Sequence, residues 1–268
     1  MTQRPLALIT GASSGIGAAF ARHAAKNGHD VALAARRLDR LEKLAQEIQA
    51  TWPVEAFALE ADLADPTTPE RMVTAITERG RTIDVLVNNA GFSIPDGFVW
   101  TSLEKQQGFL EVTLNAPVAL SHLAAQSMLA QGRGRIINIS SMTAFSSGGK
   151  GHTLYPAAKS FLVKFSQSLN AELKEHGIQV SAVAPGFVKT EFLEANGTAE
   201  AMRNTDGWYW QTPEEIAEES WRRNERGVEV IVPGFAPKCA AVLLKFVPEQ
   251  LLTPLTRKAA AGQYVGDG

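Results

Sequence analysis

Short apolar runs alternate along this chain with longer segments whose apolar positions recur at helical spacing. Leu6-Ala7-Leu8-Ile9 reads as a buried strand, and Ile16, Ala18, Ala19, Phe20, His23, Ala24 and Ala25 then mark a helix that stops at Asn27-Gly28. Asp30 to Ala35 is a second strand, and Leu38 to Ala50 a helix with Leu41, Leu44, Ala45 and Ile48 on one face. Val54 to Leu59 is a third strand. Thr67-Thr68-Pro69-Glu70 opens a helix that runs to Gly80. Ile83 to Val87 is a fourth strand, closed by Asn88-Asn89-Ala90-Gly91, and a long helical region follows from Leu103 to Gln131. Arg135 to Ile139, a helix from Leu154 to Glu175, and Gln179 to Ala184 before Pro185-Gly186 complete the series. Strands alternating with helices at this pitch predict an α/β fold of the Rossmann type: a doubly wound parallel sheet of about seven strands with helices on both faces. Right-handed crossovers put every strand C-terminus, and hence the site, on one edge.

Composition narrows the function classes. A chain of 268 residues with 45% hydrophobic and 20% charged residues has the make-up of a soluble globule with a full core, and 1–268 reads as a single domain. A net charge of −2 gives no electrostatic reason to expect nucleic acid or an anionic membrane as partner. Cys239 is the single cysteine, which excludes an intramolecular disulfide and a cysteine-based zinc site and predicts an inert buried thiol. The five histidines lack metal-ligand spacing, so no metal is expected. The first strand begins near Leu6 and leaves no room for a signal peptide, while the apolar run Cys239 to Val247 is too short to span a bilayer; the expected location is cytoplasmic. Asn138-Ile139-Ser140 and Asn196-Gly197-Thr198 match the glycosylation sequon by chance.

The chemistry begins at Thr10-Gly11-Ala12-Ser13-Ser14-Gly15-Ile16-Gly17. A strand entering a glycine-rich turn and then a helix makes a pyrophosphate cradle: the backbone approaches the phosphates, and the helix N-terminus supplies free N–H groups and a positive dipole end. The spacing is G-x-x-x-G-x-G, not the G-x-G-x-x-G of the general dinucleotide fingerprint. Gly11 to Gly15 also matches G-x-S-x-G, the nucleophile elbow of serine hydrolases. That alternative lacks an upstream strand for the second oxyanion donor and leaves Gly17 without a role.

With Tyr155-Pro156-Ala157-Ala158-Lys159 in place, the chain resembles the short-chain dehydrogenase/reductase family over residues 6 to 190. Thr10 to Gly17, Asp62, Asn88 to Gly91, Asn115, Ser140-Ser141, Tyr155 with Lys159, and Pro185-Gly186 with Thr190 fall in the family's order. The family commonly places its catalytic serine thirteen residues before the tyrosine, where this chain has Met142. Ser141 lies fourteen before it and is preferred, with Ser140 as the alternative.

Tyr155 and Lys159 are i and i+4 on a helix and reach the same face. Hydride transfer to a carbonyl leaves an alkoxide that needs a proton, and a phenol of pKa about 10 is a poor acid-base near neutrality. Lowering it by about three units requires about 4 kcal/mol, which a cation at ~4 Å supplies at an effective dielectric of ~20. Lys159 is therefore expected to lower Tyr155, and the resemblance implies that it also binds the nicotinamide ribose. Ser141 would hold the substrate oxygen. Asn115 sits mid-helix, where asparagine is unfavourable. The resemblance implies a helix kink there and a water linking Asn115 to Lys159.

Cofactor choice rests on the end of the second strand. An NAD-preferring enzyme has an acidic residue there for the ribose 2′-hydroxyl. This chain has Ala35 followed by Arg36 and Arg37, and a guanidinium can bind a 2′-phosphate bidentately. NADP(H) is the expected cofactor, with Arg36 the main contact and Ser13 or Arg37 assisting. By resemblance, Gly11, Ser13, Ser14, Gly15, Ile16 and Gly17 cradle the phosphates, Asp62 and Leu63 flank the adenine, and Asn89, Ala90 and Gly91 form the floor. Thr190, after Pro185-Gly186, would bond the nicotinamide carboxamide.

Residues 190 to 268 are the family's most variable part, a substrate lid and tail. Glu191 to Asn204 reads as a short lid helix, and Gly207-Trp208-Tyr209-Trp210 as an aromatic cluster that either lines a pocket or packs the lid down. A helix from Thr212 to about Arg226, a strand from Val228 to Val232, and an apolar helix from Lys238 to Val247 follow, the last covering either a lipophilic substrate or a partner subunit. The expected protein is an NADPH-dependent reductase of a ketone or aldehyde, working reversibly on the alcohol and forming a homodimer or homotetramer. The rival is a non-catalytic NADP(H)-binding sensor or scaffold, a class free to lose Tyr155 or Lys159.

Overall fold

A computed structural model describes residues 3–94, 96–146, 148–149, 153–188, 190–191 and 210–246. Seven parallel strands form one sheet: β1 (Leu6–Thr10), β2 (Asp30–Ala35), β3 (Ala56–Glu60), β4 (Val85–Asn88), β5 (Gly134–Ile139), β6 (Ile178–Val183) and β7 (Val230–Ile231). Their order is β3-β2-β1-β4-β5-β6-β7. The chain leaves β3 at one edge and returns to β4 beside β1, and that reversal opens a crevice at the carboxyl ends of β1 and β4. Because side chains alternate across a strand, Ala7 and Ile9 join Val31 and Leu33 in one core layer while Leu6 and Leu8 join Ala32 and Ala34 in the other. Strands buried on both faces therefore read as continuous apolar runs, as β1 and β2 do.

Helices α1 (Gly15–Lys26), α2 (Leu38–Thr51), α3 (Thr68–Glu78), α4 (Leu103–Leu110), α5 (Ala116–Gln131), α6 (Leu154–Leu173), α7 (Pro213–Glu225) and α8 (Phe235–Phe246) supply the outer layers. Their ends follow local chemistry. Gly132, with φ of 66°, closes α5. Thr212 and Glu215 cap α7 reciprocally, each side chain bonded to the other's backbone N–H.

The long helix expected over 103–131 is interrupted. Residues Glu111–Asn115 form a π turn between α4 and α5. Pro117 has no N–H to give the carbonyl of Thr113 four residues back, and its ring crowds that carbonyl, so the ladder widens there.

Two surface expectations change. Cys239 is exposed rather than buried, because it lies on the outer side of α8. Asn138 is fully buried and donates to Ser166 Oγ while accepting from Asn88, so that sequon is closed to modification. Residues 192–204 of the expected lid helix, residues 207–209 and the tail beyond 246 lie outside the described residues; Trp210 packs on Phe187 at 5.5 Å. No helix among the described residues is long and apolar enough to cross a membrane.

Candidate active site

The floor of the crevice is built by the turn after β1 and by the end of β4. Thr10 Oγ1 accepts from the backbone N–H groups of Asn89 (3.0 Å) and Ala90 (3.1 Å), and Asn89 Nδ2 donates to the carbonyl of Thr10 at 2.9 Å. A Cβ on Gly11 would come within 2.7 Å of Asn89 Nδ2, and one on Gly17 would overlap the Gly11 carbonyl. Gly11 also has a φ of 65°. These positions must be glycine for the turn to fold back on the Asn89 loop. Gly15, at φ 55°, faces the Thr190 side chain, whose Cγ2 would lie 3.1 Å from a Cβ there. Ile16, partly buried, packs on the core beneath the turn, so the start of α1 and Thr190 meet at the mouth of the crevice. Leu63 is buried just after β3, with Asp62 exposed at the same edge.

Ser141, Tyr155 and Lys159 converge across this crevice. Ser141 caps a short 3₁₀ turn, and its Oγ accepts from the Thr143 N–H at 3.2 Å. That leaves its own proton for the Tyr155 phenolic oxygen, to which it is hydrogen-bonded. Ser140 is engaged elsewhere: its buried hydroxyl donates to the main-chain carbonyl of Lys159 at 2.7 Å. Of the two serines, Ser141 is the one that meets the phenol. The backbone continues the arrangement, since Met142 N–H donates to the Pro185 carbonyl at 3.0 Å and draws Pro185 and Gly186 to the same edge.

Lys159 is only 5% exposed. Its Nζ donates to the Ile139 carbonyl at 2.9 Å and lies 5.5 Å from the centre of the Tyr155 ring. Burial pushes the lysine down to about 8. The expectation that Lys159 lowers Tyr155 is not met: burial pushes the phenol up to about 12, and the hydrogen bond from Ser141 only partly opposes it. The cost of desolvating a phenolate is the dominant effect here.

Asn115 is also corrected. The helix distortion expected there exists, yet the Asn115 side chain is exposed and donates to Glu111 Oε2 at 2.6 Å. The residue facing the site is Thr113, which is 1% exposed. A Cβ on Gly91 would lie 3.6 Å from Thr113 Cγ2 and 3.7 Å from Lys159 Nζ, so residues 91, 113 and 159 share one corner. Two residues along a helix turn a side chain by about 200°, which carries Asn115 to the opposite side. The signal was in the buried stripe Phe109, Thr113, Ala116, Leu120 and Ala124, from which position 115 is absent.

At the end of β2, Arg36 is exposed and takes no hydrogen-bond or ion-pair partner among the described residues. Arg37 differs. It donates to Ser13 Oγ at 3.3 and 2.9 Å, to Ser14 Oγ at 3.1 Å, and to Glu191 at 3.2 Å. Arg40, one turn further on, holds the same carboxylate at 2.9 and 2.7 Å. The pairing of Glu191 with Arg40 spans about 150 residues and leaves no trace in the local sequence pattern.

Beside Tyr155 lies a shallow, open cleft whose lining mixes the apolar Ile94, Phe98, Phe109 and Leu154 with the polar Asp96, Thr101, Gln106 and Thr153. Among the described residues no cluster of histidine, cysteine or carboxylate side chains could hold a metal.

A family model described as short chain dehydrogenase matches residues 5–201. The chain belongs to the short-chain dehydrogenase family. As a member, it is an oxidoreductase with a nicotinamide-cofactor fold, and the serine-hydrolase alternative for Gly11 to Gly15 is dismissed. This short-chain dehydrogenase is 33% identical over 189 residues to the 3-oxoacyl-(acyl-carrier-protein) reductase FabG of Aquifex aeolicus, an alignment covering 70% of this chain and 76% of the relative. Among solved structures, it matches a short-chain dehydrogenase from Sphingobium yanoikuyae in complex with NADPH at 32% identity and a TM-score of 0.78, covering 91% of this chain and 97% of that one. It also matches a 7β-hydroxysteroid dehydrogenase at 27% identity and a TM-score of 0.82, covering 94% and 96%.

Proposed function

We propose that this short-chain dehydrogenase is an NADPH-dependent carbonyl reductase, reversible as an alcohol dehydrogenase, with Ser141, Tyr155 and Lys159 as its catalytic residues. The hydrogen bond between the Ser141 hydroxyl and the Tyr155 phenol carries the proposal, because it defines one point where a carbonyl oxygen can meet two donors. Bound NADPH would supply the hydride to the carbonyl carbon. As that carbon–oxygen double bond becomes single, Ser141 steadies the oxygen and Tyr155 gives it the phenolic proton. A phenol held near 12 is fully protonated at neutral pH, the state a proton donor requires. The phenolate left behind is opposed by the Lys159 cation, 5.5 Å from the ring centre.

The 2′-phosphate reading rests on Arg36, an exposed guanidinium without a partner among the described residues, and on the Ser13–Arg37 pair beside it. Gly11, Gly15 and Gly17 leave the backbone approachable for the pyrophosphate, with Asn89, Ala90 and Gly91 beneath it. The apolar residues of the cleft beside Tyr155, Ile94, Phe98, Phe109 and Leu154, together with the exposed Val99, Trp100 and Leu103 that neighbour Phe98 in the chain, support a lipophilic substrate, with Asp96, Thr101, Gln106 and Thr153 as polar contacts for it. Relatives named for 3-oxoacyl and hydroxysteroid substrates are consistent with that class.

The test is loss of 340 nm absorbance with NADPH and then NADH, against ketones and aldehydes running from small diketones through 3-ketoacyl thioesters to steroids. Turnover that prefers NADPH and disappears in Tyr155→Phe is expected. Tight NADPH binding without reduction of any member of the panel would favour a non-catalytic sensor.

A further inference from the structure

Resting on the reading that Ser13, Arg36 and Arg37 receive a 2′-phosphate, we infer that Glu191 is a cofactor-discriminating residue. Its carboxylate occupies the Arg37 edge of that subsite, and a 2′-phosphate binds by displacing it. Glu191 Oε2 accepts from Arg37 Nη1 at 3.2 Å while Arg37 Nη2 and Nε are spent on the Ser13 and Ser14 hydroxyls. The guanidinium therefore has a carboxylate on its one edge free of serine. Arg40 binds both oxygens of Glu191 at 2.9 and 2.7 Å, so the carboxylate retains a cation when it leaves Arg37. Hydrogen bonds from Arg40, and then from Arg37, hold the Glu191 carboxyl below the usual range, so it is an anion throughout the neutral region.

A phosphate monoester brings nearly two further negative charges to the same place. Two anions on one guanidinium repel, and the ion pair must open. NADH carries no charge at this position and binds with the Glu191–Arg37 pair intact. Glu191 thus narrows the preference for NADP(H) that the two arginines would otherwise set. It adjoins Thr190, which lies against Gly15, so the discriminating carboxylate is carried on the chain that follows β6 rather than on β2.

The experiment is calorimetric titration of the full-length protein with 2′,5′-ADP and with 5′-AMP, at one ionic strength, in wild type, Glu191→Gln and Arg36→Ala. Glutamine keeps an acceptor for Arg40 and loses only the charge. The expected result is a roughly two- to fivefold tighter 2′,5′-ADP in Glu191→Gln, the worth of an exposed ion pair, with 5′-AMP unchanged. Unchanged or weaker 2′,5′-ADP in that variant, or equal tightening of both ligands, would overturn the inference and make Glu191 a mere support for Arg37. Failure of the underlying reading looks different. Wild type would bind 2′,5′-ADP no better than 5′-AMP, and Arg36→Ala would change neither, which would overturn both.

Discussion

The phenol of Tyr155 and the hydroxyl of Ser141 are hydrogen-bonded across fourteen residues of sequence, and that bond rather than the nearby lysine is what opposes the burial of the phenol. In the proposed reaction both groups would donate to the carbonyl oxygen. Removing the phenolic proton by Tyr155→Phe is expected to lower kcat by about 10²- to 10⁴-fold, the usual worth of a positioned acid. Dissociation constants for NADPH should stay within a few-fold of wild type, as read by fluorescence titration.

The two serines separate cleanly. Ser141→Ala removes the donor to the phenol and is expected to lower kcat by about 10²- to 10³-fold, with an unchanged melting temperature. Ser140→Ala leaves the buried Lys159 carbonyl without its hydroxyl partner and is expected to destabilise the fold by about 1–3 kcal/mol, read by urea denaturation. Equal kcat losses in the two variants would count against the assignment of Ser141.

Lys159 is a buried cation whose proton is held less tightly in the folded chain, at about 8, than in the unfolded one, at 10.5. Between those values the unfolded state binds more protons, so wild-type stability rises with pH across that window. Below pH 8 the penalty is complete. Lys159→Met is therefore expected to stabilise the cofactor-free protein at pH 7 by about 2 kcal/mol, roughly 3 from the pKa difference less about 1 for the lost bond to Ile139. The gain should vanish by about pH 10.5. Reduction by wild type should decline as pH rises through about 8, as the cation facing the phenolate is lost.

Asn115→Ala is expected to leave kcat unchanged and to shift stability by no more than about 0.5 kcal/mol, because its side chain is at the surface and bonded only to Glu111 among the described residues. A tenfold loss of kcat would return Asn115 to the proton path. Gly91→Val, in contrast, drives side-chain volume toward Thr113 and Lys159 Nζ and should abolish turnover while the sheet remains folded, as seen by circular dichroism.

The alternation of buried strands and amphipathic helices, the glycine turn and the Tyr155–Lys159 spacing are local patterns, and they sufficed for the fold class, the crevice and the family. Local spacing also favoured Ser141, although a loop with several glycines could have brought either serine forward. What local pattern could not carry was orientation and long-range pairing. Asn115 and Thr113 are two positions apart, and the choice between them depends on which side of the interrupted helix meets Lys159. The protonation tendency of Tyr155 turned on burial, which is a property of everything packed around it and not of the lysine one turn away. Glu191 reaches Arg37 and Arg40 only because the parallel sheet brings the ends of β2 and β6 to one edge. Sequence determined which chemical groups this protein has and the order of its elements; the packing of those elements decided which groups meet and how strongly they hold their protons, since contact and desolvation are both set by neighbours distant along the chain.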